Sequence, residues 1–293
     1  MERFKRLGVF LHNSPADKAA LAFTGLLATL AKSESVLGIH VREPEQDEED
    51  SPQLASFEAE VRQELPEAIT RITKVEVHSG STVPEIWRSA RKLDLDMIIV
   101  GRRLPSEQLG IGSAFARLAR KAPCNVLVVP QYARPHLGRV LVPVDFSPHS
   151  KLALEHGLVI AKACGDGHPQ VVVVSNASVG YGHHKLGLSL QDAVEQLEKI
   201  TRQKLEGFVA GVDTAGIDVE LLCTCSEQPE AAIQEVAVAR KMDLIVVGSR
   251  GARSLFMLGS VAERILHHSL LPVLIVKQKG ETFHILDALF GSG

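Results

Sequence analysis

The sequence predicts an α/β protein built from two tandem, doubly wound, five-stranded parallel sheets, each with strand order 3-2-1-4-5. Two observations predict it. Short β-branched runs alternate with longer segments of helical apolar spacing, which implies parallel strands with helices on both faces. The pattern also occurs twice. Asp96-Met-Ile-Ile-Val-Gly101-Arg-Arg103 matches Asp243-Leu-Ile-Val-Val-Gly248-Ser-Arg250, and Gly112-Ser113 matches Gly259-Ser260 at the same offset of 147 positions. Upstream, Arg6-Leu-Gly-Val-Phe-Leu-His12-Asn-Ser14-Pro15 matches Arg139-Val-Leu-Val-Pro-Val-Asp145-Phe-Ser147-Pro148. A repeat of this period is a duplicated domain, not a solenoid. The domains are expected at 1–131 and 138–279, followed by an amphipathic tail over 280–293. Right-handed crossovers make the strand order reverse between strands 1 and 4, and ligands sit at such a reversal.

In the first copy, Leu7–Leu11 reads as strand 1. Ser14 and Pro15 then supply the N-cap and first position of a helix that continues through Leu30. Val36–Val41 is strand 2. The acidic run Glu43–Asp50 reads as a solvated loop before a helix from about Ser51 to Leu65, a partner site being the other reading. Val75–His78 is strand 3, and Ser81 or Thr82 caps a helix carrying Ile86, Trp87 and Ala90. Asp96–Val100 is strand 4, a loop spans Arg102–Ile111, a helix starts at Ser113, and Val126–Val129 is strand 5. Pro130–Gly138 is the linker. The second copy repeats this order. It has strands at Val140–Val144, Val171–Val174, Ile217–Cys223, Leu244–Val247 and Val273–Val276. Its helices fall at Pro148–Cys164, Ser189–Val209, Pro229–Arg240 and Val261–His268, with a Gly- and His-containing loop at Ala177–Leu188.

Length suits two ordinary domains, each able to bury a core. A net charge of −3 and an aromatic share of 4% argue against nucleic acid as partner, which calls for a basic face and stacking rings. The charged N-terminus enters a strand at once, without a secretory h-region, and no apolar run reaches the length of a membrane span. The expectation is a cytoplasmic protein with no membrane contact. Cys124, Cys164, Cys223 and Cys225 read as reduced thiols in or near the core; only the Cys223-Thr-Cys225 spacing admits a redox or metal role.

The stretch Asp243–Val276 carries the chemistry. A buried strand ends at Gly248, the glycine pair of Gly248-Ser-Arg-Gly251 follows, and after a spacer of Ala252–Leu258 comes Gly259-Ser260 at a helix start. Strand, glycine loop and helix make a phosphate cradle: glycines let the backbone approach an anion, and helix N–H groups point at it. The loop is neither a Walker A motif nor G-x-G-x-x-G. Arg250 and Arg253 are its charged candidates for phosphate contact, the alternative being solvated loop charges. At the far side of the crevice, the Asp145 carboxylate either accepts a hydrogen bond from a ligand or caps the strand-to-helix turn. His183-His184 and His267-His268 diverge too far on a helix to share a metal ion, and Ser260 has no partner base, so no catalytic residue and no metal site is assigned.

These motifs, GSRG with Gly259-Ser260 and VPVDFSP (142–148), resemble the universal stress protein family. Its loop pattern is G-x2-G-x9-G-S/T; here the spacer holds seven residues. The resemblance covers about residues 5–130 and 138–278. It implies a Rossmann-like, adenine-nucleotide α-hydrolase-like fold and an adenine nucleotide, ATP or AMP, with or without magnesium. Asp145 would contact adenosine, Pro143 and Val144 would line the adenine pocket, and the Asn176 backbone would meet adenine. Gly248, Gly251, Gly259 and Ser260 would meet phosphate and ribose. The first copy departs at His12, in place of Asp145, and at Leu104, which cannot make the close approach or take the positive φ open to glycine. Its site is expected to be degenerate, with His12 either meeting another small ligand or resting partly buried on a local hydrogen bond. The fifth strands would pair the copies as an intramolecular pseudo-dimer, with a homodimer and an unknown protein partner also in view. The implied role is a stress sensor or regulator. A slow ATPase and a protein-interaction module without nucleotide are the rival readings.

Overall fold

In the computed structural model, residues 4–42, 54–103, 111–164, 170–177, 189–251 and 258–278 are described. Leu137–Ser269 form one unit; the described residues up to His136, with those from Leu270 onward, form the other.

The first unit starts from a strand buried at nearly every position, β1 (Arg6–Leu11), which feeds α1 (Pro15–Ala31). The turn between them is set by Asp17. Its buried carboxylate accepts the backbone N–H groups of His12 (2.8 Å) and Ser14 (3.2 Å) and the Ser14 hydroxyl (3.2 Å). Then follow β2 (Ser35–Arg42), α2 (Leu54–Glu64), a short α3 (Glu67–Thr70), β3 (Thr73–Ser79), α4 (Thr82–Lys92), β4 (Met97–Arg102), α5 (Ile111–Lys121) and β5 (Asn125–Pro130). All these strands pair in parallel in the order β3-β2-β1-β4-β5. The short α3 was not expected, α5 starts two residues before Ser113, and Arg102, expected in a loop, closes β4 as a buried residue.

The second unit repeats the plan with β6 (Arg139–Pro143), α6 (Pro148–Cys164), β7 (Gln170–Ala177), α7 (Leu190–Ala210), β8 (Val219–Cys225), α8 (Pro229–Ala239), β9 (Leu244–Gly248) and α9 (Ser260–His268). Its parallel order is β8-β7-β6-β9. Here the helix cap is Ser147, whose hydroxyl accepts the Ser150 N–H at 3.2 Å. Strand β8 lies two residues beyond its expected start and ends at Cys225. The last strand, β10 (Val273–Val276), pairs antiparallel with β5, and the Lys277 N–H beyond it donates to the Asn125 side chain at 2.9 Å.

One repeated residue proves structural. The aspartate that opens each glycine stretch binds the start of the neighbouring strand 1: Asp96 accepts the N–H groups of Lys5 and Arg6 (2.9 and 2.8 Å), and Asp243 accepts that of Arg139 (2.8 Å). This sets the register between strands 1 and 4, and so aligns the two strand ends that form the crevice. The acidic run at 43–50, His183-His184, Leu104, the spacer 252–257 and the tail 280–293 lie outside the described residues.

Candidate functional site

The carboxyl ends of β6, β7 and β9 and the start of α9 enclose a cleft of about 750 Å³ within the second unit. Pro143, Val144, Asp145, Asn176, Gly248, Arg250, Gly251, Gly259 and Ser260 all line it. They come from three segments separated by dozens of residues, and the strand order joins them.

Each is positioned by local chemistry. Asp145 lies two residues beyond the end of β6 and is exposed; its Oδ1 accepts the Ser147 N–H at 3.1 Å, so it does make the turn-capping bond. Its Oδ2 lies against Gly251, where an added Cβ would stand 2.8 Å away. The capping role read from the sequence is thus filled by one oxygen of this carboxylate, while the other faces the glycine loop. The Gly251 φ is not in the left-handed region, so of the two reasons expected for glycine it is close approach that applies: a side chain here displaces the Asp145 carboxylate.

Gly248 is constrained from the other side. A Cβ there would lie 2.8 Å from the backbone carbon and oxygen of His149 in the first turn of α6. Its counterpart Gly101 meets Ala16 of α1 more tightly still, with the Ala16 carbonyl oxygen 2.3 Å from the added Cβ. The glycine ending strand 4 is thus required in both copies by helix packing, whatever else it touches.

Asn176 has its side chain committed. Its Oδ1 accepts the Thr224 hydroxyl and its Nδ2 donates to the Ser226 carbonyl, each at 2.9 Å. That anchors the end of β7 to β8 beside the cleft. Gly259 caps α9, and Ser260 opens it, so the N-terminal end of a nine-residue helix borders the cleft. Backbone N–H groups there favour an anion.

Beyond Pro143 and Val144, further walls were not read from the sequence. Phe146, Pro229, Ile233, Leu258 and Ala262 line the cleft. Pro229 and Ile233 belong to α8, which carries no motif, and only the fold brings it over the glycine loop. An ion pair, Arg264 to Glu230 at 3.0 Å, ties α9 to α8. The Glu230 backbone N–H, and then Arg264, hold the Glu230 carboxyl below the usual range.

The equivalent place in the first unit is built differently. His12 stands where Asp145 stands, Phe10 for Pro143 and Phe115 for Ala262. The His12 ring packs edge-on against Phe10 at 4.1 Å and Phe115 at 6.3 Å between centroids. Its Nδ1 lies 3.8 Å from Asp17. Phe10 and Phe115 are buried. Three rings fill positions held in the second unit by a proline, a carboxylate and an alanine. Phe10 and Phe115 went unnoticed in the sequence because each is an ordinary apolar residue at its own position. At the strand-4 end, buried Arg102 replaces Ser249, and burial lowers its pKa.

Among the described residues, no group of three or more His, Cys, Asp or Glu side chains could hold a metal ion. Among them, too, no helix is long and apolar enough to cross a membrane. Cys223 and Cys225 are both half-buried and free, and burial raises the Cys223 pKa, which works against a thiolate.

Comparison with known proteins follows the repeat. The model of the Universal stress protein family matches twice, over residues 3–130 and 136–277. A universal stress protein of Methanocaldococcus jannaschii is 32% identical over 149 residues, covering 48% of this chain and 82% of that protein. One of Mycobacterium tuberculosis is 28% identical, covering 57% of this chain and 56% of its own length. Among solved structures, a universal stress protein from Archaeoglobus fulgidus superposes with a TM-score of 0.63 at 21% identity, covering 93% of this chain and 98% of that one. A functionally unknown protein from Pseudomonas aeruginosa gives 0.68 at 20% identity, with 98% and 96% coverage. These two likenesses speak to the fold.

Proposed function

The chain belongs to the universal stress protein family, and from that premise we propose that its second unit binds an adenine nucleotide. The protein then acts in the stress response as a nucleotide-dependent sensor or regulator through partner proteins. The observation that carries the reading is the convergence of Asp145, the glycine loop and the α9 N-terminus on one cleft. The cleft offers what each part of such a ligand requires. Apolar walls of Pro143, Val144 and Ile233 suit a base. The Asp145 carboxylate accepts from an amino or hydroxyl group. Glycine backbone, Arg250 and the helix start suit phosphate.

Binding is favoured over turnover. Among the described lining residues, Asp145 is the one carboxylate, and it is engaged with the Ser147 N–H and set against Gly251. Among those lining residues no second acid stands by to act as general base or to hold magnesium. Hydrolysis of ATP, if measured, is expected to be slow.

The first unit does not share this role, because Phe10, His12 and Phe115 stand in the corresponding positions. The test is calorimetric titration of ATP, ADP and AMP into the full chain, with and without magnesium. One site of micromolar strength, worth about 8 kcal/mol, is expected. Two equal sites would overturn the asymmetry between the units. No binding would overturn the nucleotide reading and leave the protein-contact module.

A further inference from the structure

Among the described residues of the second unit, the bulkiest side chain on a left-handed backbone sits at the rim of the cleft. Phe146 has φ +63°, in the left-handed region, where a bulky aromatic residue is disfavoured. The turn itself belongs to both copies: Asn13, the counterpart in the first unit, has φ +57°. Asparagine suits that geometry, because its short polar side chain tolerates it. The second unit thus places a phenylalanine where the backbone asks for asparagine or glycine.

Burial does not explain it. Phe146 is 36% exposed. Its ring makes an edge-to-face contact with Phe208 of α7, with centroids 5.7 Å apart and planes at 83°. That contact holds the ring in place while its exposed part lines the cleft, next in sequence to Asp145. A partly exposed aromatic ring, held against local strain and the one aromatic side chain among the described lining residues of the cleft, is a surface for a flat ligand.

We propose that Phe146 is the specificity-determining wall of this cleft: its ring stacks on an aromatic heterocyclic base and so selects base-containing ligands over sugar phosphates. The inference rests on the nucleotide reading above and deepens it. It also accounts for the difference between the units, since Asn13 offers no such face.

The experiment uses the full chain, with Phe146→Asn and Phe146→Leu as variants and AMP and ribose 5-phosphate as probes, the sugar phosphate measured by displacement of AMP. Phe146→Asn is expected to weaken AMP about tenfold, the scale of one base–aromatic stack, and to leave ribose 5-phosphate unchanged. Its unfolding midpoint is expected to hold or rise, because asparagine relieves the φ of this turn. Phe146→Leu keeps apolar bulk without a flat face and should also weaken AMP. Unchanged AMP affinity in both variants would overturn the proposal, as would equal weakening of AMP and ribose 5-phosphate, which marks Phe146 as a mere prop of the cleft. A wild-type chain that binds neither probe overturns the nucleotide reading itself, and the stacking role with it.

Discussion

Replacing Gly248 with alanine separates the two reasons a glycine can be required at this site. The new Cβ would stand 2.8 Å from the carbonyl carbon and oxygen of His149 and 2.9 Å from its Cβ. Those are backbone atoms and a stem carbon in the first turn of α6, so no side-chain rotation relieves the clash. The end of β9 and the start of α6 must move apart. Overpacking of this kind costs about 1–3 kcal/mol. Alanine returns about 0.4–1 kcal/mol by restricting the unfolded chain. The net loss is about 1–2 kcal/mol, and with a urea dependence of about 2 kcal/mol/M the midpoint for the second unit falls by about 0.5–1 M. Gly251→Ala is the control. Among the described residues its Cβ would meet the Asp145 carboxylate, with Oδ2 at 2.8 Å, and a carboxylate can rotate away. Its stability should stay within about 0.5 kcal/mol of wild type, while nucleotide affinity falls because Asp145 is displaced. An unshifted urea midpoint for Gly248→Ala would refute the close-packing argument. Equal loss of stability in both variants would refute the distinction between them.

Asp145→Ala is expected to weaken adenosine binding about 10- to 100-fold, the range for a hydrogen bond to a charged group, read by calorimetry; unchanged affinity would leave the carboxylate as a turn cap alone. Asp17→Ala removes an acceptor shared by two backbone N–H groups and a hydroxyl at the head of α1 and should lower stability by about 1–3 kcal/mol in thermal or urea unfolding, without changing nucleotide affinity in the other unit. His40 supplies a pH dependence. Its ring is 4% exposed and stacks on Phe57 at 4.4 Å, its Nδ1 meets the Leu11 carbonyl at 2.8 Å, and its Nε2 is buried without a partner. Burial lowers its pKa from 6.5, opposed by the Leu11 carbonyl and Asp17 and assisted by His12 and Arg42. The unfolded chain therefore takes up the proton first. The His40 contribution is flat above pH 6.5 and is lost as pH falls below it, by up to about 1.4 kcal/mol per unit. His40→Gln should flatten that part of the stability-versus-pH curve, and an unchanged slope would remove His40 as its source.

Much of this molecule is legible in one dimension because its signals are local. The duplication, the alternation of strand and helix, the Ser-Pro helix starts and the glycine at the end of strand 4 each depend on residues a few positions apart. So does the pairing of His12 with Asp145 as the point where the two copies differ. The strand order then follows from chirality, and with it the meeting of Asp145 and the glycine loop. What needed the tertiary structure was every role set by an atom from a distant segment. Asp96 and Asp243 look like part of a ligand motif until the backbone of a neighbouring strand is seen donating to them. Gly251 looks like a glycine kept for phosphate alone until the Asp145 carboxylate is found against it. Phe10 and Phe115 look like core residues, and only packing shows their rings closing on His12. Local sequence sets which conformations a segment prefers, because propensity and periodicity act over a few bonds. Which atoms then touch is decided by excluded volume between segments far apart in the chain, and in this protein that contact decides why one copy keeps a cleft-lining carboxylate while the other places aromatic rings at the same position.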